Sequence, residues 1–72
     1  MPVVHIDAPP GIRPEAKKRM MEKIHAALSE VYQPIETLIF LQEYGPEMVA
    51  ENGRLQSENP KVLEGVERAR SV

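Results

Sequence analysis

The pattern of hydrophobic and polar positions divides the chain into four segments. From Val3 to Ala8 apolar and polar residues alternate, which predicts a strand with one covered face. Apolar residues then recur at three- and four-residue steps from Pro14 to about Tyr32, which predicts an amphipathic helix over 14–32. The run 35–43, IETLIFLQE, is apolar at its centre and predicts a second strand. A short apolar stripe predicts a C-terminal helix over 59–70.

Proline and glycine residues mark the boundaries of these segments. Pro9-Pro10-Gly11 ends the first strand, because two prolines cannot continue a ladder of hydrogen bonds. Pro14 suits the first position of a helix, and Asn59-Pro60 supplies an N-cap followed by a first helical residue. Between them, the stretch 46–58 shows no clear period, although Asn52-Gly53 is a turn signal.

A strand, a long helix and a second strand make a β-α-β unit, so we expect the two strands to be parallel. The sequence thus predicts one α/β (α+β) domain over 1–72, a single β-α-β unit with a short C-terminal helix. One helix covers one face of a two-stranded sheet. We expect the other face, with Val3, Ile39 and Leu41, to need a partner, and we predict a homo-oligomer.

Composition narrows the classes of partner. The chain has 72 residues, no Cys and a formal net charge of −2. Small domains without disulfides or metals often rely on oligomerisation, which favours a homo-oligomer. The interspersed charges argue against nucleic-acid binding, which usually shows a basic stripe. No apolar run approaches the 18 or so residues of a membrane span, and no signal peptide is visible. The absence of Cys fits a cytoplasmic protein, which we expect.

The first residues carry the candidate chemistry. An initiator Met followed by a small residue is normally removed, which would leave Pro2 with a free secondary amine. Burial against Val4 and Ile6 would disfavour the charged amine and lower its pKa toward neutrality. A base with such a pKa is suited to proton transfer. The alternative is a proline that merely opens a strand, a position where proline is common.

Other catalytic constellations are missing from the sequence. His5 and His25 have no His, Cys or carboxylate partner at metal-ligand spacing, so we expect no metal site. The chain also shows no serine nucleophile elbow, no glycine-rich phosphate loop and no cysteine nucleophile.

The opening Pro2-Val3-Val4-His5-Ile6, Gly11, the run 14–18 (PEAKK) and the run 43–47 (EYGPE) occur in an order that resembles the tautomerase superfamily. The resemblance covers about residues 2–47 and is to the short 4-oxalocrotonate tautomerase group. It implies that the processed Pro2 is a general base that interconverts enol and keto forms of a small 2-hydroxy enoate or dienoate. It also implies no cofactor. The C-terminal helix is similar to the tails of longer members; some of these are dimers, and the shortest members are hexamers.

The arginines of this chain depart from that family's pattern. The family's first substrate-binding arginine directly follows the loop glycine, where this chain has Ile12 and places Arg13 one residue later. The second lies in the second strand, where Leu38 and Ile39 stand instead. Arg13 is therefore our candidate for binding a substrate carboxylate, and Arg54 is a candidate for reaching a neighbouring subunit's pocket. One arginine favours a monocarboxylated or more apolar enol over a dicarboxylate.

The family's aromatic pocket wall is also replaced. Met48 and Val49 follow the Pro-Glu pair, and Phe40 and Tyr44 are the aromatic residues nearby. Phe40 and Met48 are therefore candidates for the substrate-binding wall, with a core position as the alternative for Phe40. Two rival functions stay open: a non-catalytic assembly module of the same fold, and a dehalogenase or decarboxylase that uses the same proline.

Overall fold

The computed structural model describes residues 1–33 and 36–72. Within these two ranges, two helices and four strands succeed one another, with short 3-10 turns at Pro46–Met48 and Gln56–Glu58. In chain order they are β1 (Val3–Ala8), α1 (Pro14–Ser29), β2 (Leu38–Glu43), β3 (Ala50–Glu51), β4 (Arg54–Leu55) and α2 (Pro60–Arg70). Within this part of the chain, neither helix is long and apolar enough to cross a membrane.

β1 and β2 form a parallel two-stranded sheet. The register runs without a break from Val3 opposite Leu38 to Ala8 opposite Glu43. Side chains of α1 contact the last residue of β2 and the residue just before its start, since Lys17 bonds Glu43 and His25 bonds Thr37. The helix therefore runs antiparallel to the strands along one face of the sheet, and the predicted β-α-β unit of the α+β class is confirmed.

The two faces of the sheet differ in exposure. In β1, Val4 and Ile6 are half-buried, whereas Val3 is 49% exposed. In β2, it is Leu38 and Phe40 that stand with Val3 on the open face, at 44% and 50% exposure. The expectation that Ile39 and Leu41 lie on the open face is wrong. The parallel register pairs Ile39 with Val4 and Leu41 with Ile6, which places both on the half-buried face.

α1 ends earlier than the sequence pattern predicts. The helix stops at Ser29, and the backbone N–H groups of Val31 and Tyr32 both donate to the Leu28 carbonyl, at 3.1 and 2.9 Å. Val31 is 75% exposed, so no packing holds another turn in place. Gln33 also precedes a proline, which disfavours helical backbone at that residue.

β2 begins later than predicted. The predicted strand starts at residue 35, which lies outside the described residues, and the observed strand starts at Leu38. β2 can form hydrogen bonds only where β1 lies beside it. The first of these bonds runs from the Leu38 N–H to the Pro2 carbonyl, at 3.1 Å. The start of β1 thus sets the start of β2.

A small hairpin occupies the stretch that had no clear period. β3 and β4 pair antiparallel, and the turn between them places Asn52 at φ 53° and Gly53 at φ 81°. Positive φ at both central residues is the geometry that an Asn-Gly pair favours in a two-residue hairpin. The turn was visible in the sequence, but strands of two residues are too short to produce an alternating pattern.

α2 follows the predicted C-terminal helix closely. Asn59 is the N-cap, and its side chain accepts a hydrogen bond from the Lys61 N–H at 3.0 Å, with Pro60 as the first helical residue. Val66 on this helix, 7% exposed, is the sole buried hydrophobic side chain among residues 1–33 and 36–72. The single chain therefore encloses little core, and most of its apolar side chains stay partly exposed.

Candidate active site

Pro2 lies at the edge where the parallel sheet begins. The residue is half-buried and shares the helix-facing side with Val4, while Met1 before it is 63% exposed. The Pro2 carbonyl accepts a hydrogen bond from the Leu38 N–H. This bond holds Pro2, whose nitrogen is the candidate base, at the start of β2. The alternating exposure of β1 matches the predicted placement of Pro2 beside apolar neighbours.

A chain of polar side chains stands at the same end of the sheet. His25 Nδ1 lies 2.8 Å from Thr37 Oγ1, and His25 Nε2 lies 3.5 Å from Ser29 Oγ. The sequence indicated His25 only as a possible metal ligand and gave no role to Thr37 or Ser29. The four-residue step from His25 to Ser29 was a usable signal for a helical side-chain pair, but nothing local pointed to Thr37.

Arg13 lies at the opposite end of the sheet, at the N-cap of α1. Its Nε donates to the Val72 carbonyl at 3.0 Å, and its Nη2 donates to the Ser71 carbonyl at 3.2 Å. Six residues of β1 separate this end from Pro2, which is about 20 Å at roughly 3.3 Å per residue. One chain therefore does not bring Arg13 to its own Pro2.

The loop before Arg13 is held by α2. Arg70 Nε donates to the Pro10 carbonyl at 3.5 Å. Gly11 has φ +104°, and a Cβ at this position would overlap the Arg70 side chain. The glycine is therefore required by the backbone conformation, whereas the long Arg70 side chain can shift to relieve the overlap.

An ion pair closes the same end of the sheet. Lys17 Nζ lies 2.7 Å from Glu43 Oε1. The hydrogen bond from Lys17 lowers the pKa of the Glu43 carboxyl below its ordinary value and outweighs desolvation, which raises it. The positive charge of Lys17 and a backbone hydrogen bond from Gly11 lower this pKa further. Glu43 is thus held as a carboxylate and is not suited to be a general acid near neutral pH.

The remaining candidate residues are spread over the surface. Phe40 stacks on His5 on the open face of the sheet, with ring centroids 5.1 Å apart and an angle of 12° between the ring planes. Met48 is 70% exposed at the end of a 3-10 turn. Arg54 lies in β4 and lines a groove of about 370 Å³ beside the start of α2. The single chain does not gather these side chains around Pro2.

A second groove, of about 270 Å³, is mainly apolar and lies where the strands end. Its walls include Ala8, Tyr44, Val49 and Val62. A buried oxygen of Gln56, Oε1, has no hydrogen-bond partner within the described part of the chain. Neither of these two grooves includes Pro2.

Comparison with known proteins identifies the family to which the chain belongs. A family profile described as tautomerase enzyme matches residues 2–55, so the match begins at Pro2 and contains β1, α1 and β2. No curated protein and no solved structure matches the chain. Because the profile covers more than half of the chain, the protein belongs to the tautomerase family, which supports an isomerase function of the tautomerase type.

Proposed function

We propose that the protein is a cofactor-independent enol–keto tautomerase in which the Pro2 amine, freed by removal of Met1, is the general base. The observation that carries this proposal is the position of Pro2. It heads the half-buried face of β1, and its carbonyl is fixed to β2. The family match begins at this residue. A secondary amine beside apolar side chains favours its neutral, basic form.

The reaction needs only one group that accepts and returns a proton. The Pro2 nitrogen takes the proton of the enol hydroxyl, and the O–H electron pair becomes the second bond of the new carbonyl. The π electrons of the enol C=C then take a proton from the resulting ammonium at carbon. Atoms and charge balance without an oxidant or a metal, and the base is regenerated.

We propose a small 2-hydroxy enoate with one carboxylate, or a more apolar enol, as the substrate class. Arg13 is the candidate partner of the carboxylate, since it presents several N–H donors. It would act on a Pro2 of another copy, because about 20 Å of β1 separates the two residues within one chain. Phe40, Met48 and Arg54 remain candidates for further contacts from neighbouring copies.

The proposed site therefore requires a homo-oligomer, a dimer or a hexamer. Support comes from the open face of the sheet, where Val3, Leu38 and Phe40 are each 44–50% exposed. We expect Phe40→Glu to dissociate the oligomer in analytical ultracentrifugation, because a charge would be buried between copies. Tyr32→Glu is the matched control, since Tyr32 is also 50% exposed but lies outside the sheet. Equal sedimentation of wild type and Phe40→Glu would contradict this assembly.

The experiment that tests the function is phenylenolpyruvate ketonisation against pH. The protein is first shown by mass to lack Met1 and is then compared with Pro2→Ala. We expect the wild-type rate to rise with pH through an apparent pKa below that of an ordinary α-amino group. We expect Pro2→Ala to lower this rate by about 100-fold or more. Full activity in Pro2→Ala would refute the proposal. No rate on a panel of simple enols would favour a non-catalytic assembly module or another reaction of the same proline.

A further inference from the structure

The proposed reaction leaves the polar chain at the N-terminal end of the sheet unused. His25 on α1 contacts Thr37 Oγ1 at 2.8 Å and Ser29 Oγ at 3.5 Å. The contact with Thr37 joins the helix to the sheet through an imidazole and a hydroxyl group. At the other end, the corresponding link is the Lys17–Glu43 ion pair.

The register places this chain beside Pro2. Val3 is opposite Leu38, so one step back along both strands sets Pro2 opposite Thr37. The Leu38 N–H donates to the Pro2 carbonyl at 3.1 Å, which holds Pro2 beside the residue that follows Thr37. Neighbouring strands lie about 4.8 Å apart. Pro2 and Thr37 are both half-buried on the side covered by α1, where His25 reaches Thr37.

The chemistry of these groups favours a fixed hydroxyl. A threonine hydroxyl has one donor and two acceptor sites, and the contact with His25 uses one of them. Among residues 1–33 and 36–72 this is the one side-chain hydrogen bond of Thr37, so its remaining sites can face the amine or the substrate. An uncharged imidazole donates from one nitrogen and accepts at the other, so the contact of Nε2 with Ser29 helps to select whether Nδ1 donates to Thr37 or accepts from it.

We propose that His25 is a positioning residue for the tautomerase site, which holds the Thr37 hydroxyl in a fixed direction beside the Pro2 amine. The inference rests on the proposed function, since it assigns a supporting partner to the same base. His25 does not touch the substrate. It acts through Thr37, and the effect of removing either residue therefore depends on the other.

The kinetic test uses a double-mutant cycle on the processed protein. We expect His25→Ala to lower kcat by about tenfold, with KM within about twofold of wild type, because a displaced hydroxyl disturbs the orientation of the base. Thr37→Val should show a similar loss, and the double variant should be no slower than Thr37→Val. His25→Asn should recover most of the rate, because its amide can occupy the position of Nδ1. Lys23→Ala, exposed on the same helix, is the control and should match wild type.

A second readout does not depend on turnover. With 15N-labelled proline, the Pro2 amine can be titrated by NMR, and its midpoint should move equally in His25→Ala and Thr37→Val but not in Lys23→Ala. Glu22 on α1 and Glu36 beside Thr37 are present in all variants, so their charges do not alter the comparison. Circular dichroism and sedimentation confirm that each variant keeps its fold and assembly.

The outcomes separate this inference from the proposed function. If wild type ketonises through Pro2 while His25→Ala keeps the wild-type rate and titration, the positioning role is refuted and the function stands. Additive losses in the double variant also refute it. If wild type has no activity, the proposed function fails, and an unchanged Pro2 titration in both variants refutes the link between His25 and Pro2 as well.

Discussion

The two ends of the parallel sheet are built differently. At the end where the strands begin, Thr37 contacts His25 of α1, and the Pro2 carbonyl accepts a hydrogen bond from Leu38. At the end where they finish, charged groups dominate: Lys17 pairs with Glu43, and Arg13 and Arg70 bind backbone carbonyls across the loop before α1.

The two ends therefore differ in their proposed roles. The first end carries the candidate base, and the second end holds the loop before α1 and the C-terminal segment together. The family profile ends at residue 55, whereas α2 begins at Pro60, so the helix that closes the second end lies beyond the matched region. The matched region supplies the candidate base at the first end. We infer that changes at the first end affect proton transfer with little effect on stability, and that changes at the second end do the reverse.

The largest expected effect is at Pro2. One extra alanine between Met1 and Pro2 converts the Pro2 nitrogen into an amide, which is not basic. We expect the ketonisation rate to fall by about 100-fold or more, with the thermal midpoint unchanged. A parallel assay of wild type, with its mass showing that Met1 is removed, is the control. If the extended variant keeps the wild-type rate, the Pro2 amine is not the base, and the first end of the sheet does not carry the proton transfer.

Gly11 provides the opposite case at the second end. Gly11→Ala places a side chain at φ +104° and against Arg70. We expect the free energy of unfolding to fall by about 1–3 kcal/mol, measured by urea denaturation at fixed protein concentration. Gly65→Ala is the control, because a Cβ there meets open space. A stability equal to that of Gly65→Ala would show that the loop tolerates the change.

A substitution of Arg13 tests whether its hydrogen bonds hold the C-terminal segment in place. Arg13→Gln removes the guanidinium that donates to Ser71 and Val72, and we expect local opening of the end of α2 to become easier by roughly 1 kcal/mol. Hydrogen exchange of the amides near the end of α2 measures this change. Arg19→Gln, exposed on α1, should leave those amides unchanged. If Arg13 also binds a substrate carboxylate, Arg13→Gln raises the KM for phenylenolpyruvate. An unchanged KM would show that Arg13 only holds the C-terminal segment in place.

The smallest effect concerns Glu43 and pH. Its pKa in the folded chain is lowered from 4.5, so the carboxylate stabilises the fold above that pH, and the contribution is lost as pH falls through the folded value. We expect Glu43→Gln to be less stable than wild type at pH 7, with the difference shrinking at about pH 3, as measured by urea unfolding at both. Glu47→Gln is the control, and a difference between wild type and Glu43→Gln that is constant with pH would contradict the assignment.

Local signals account for the elements that the sequence predicted well. Pro14 as the first residue of α1 and Asn59 as the N-cap of α2 were both predicted and observed. The candidate base was also identified locally, from its place before an alternating strand. Its role and the roles of Arg13, Phe40, Met48 and Arg54 stay predictions.

The sequence by itself determined the β-α-β order, because periodicity and the backbone limits of proline and glycine act over a few residues. Tertiary structure decided which apolar residues of β2 face outward, because the register with β1 places Leu38 beside Val3. It also decided the partners of Arg13 and His25, which lie 59 and 12 residues away along the chain. Contacts over such separations depend on how the elements pack, and no short pattern records them.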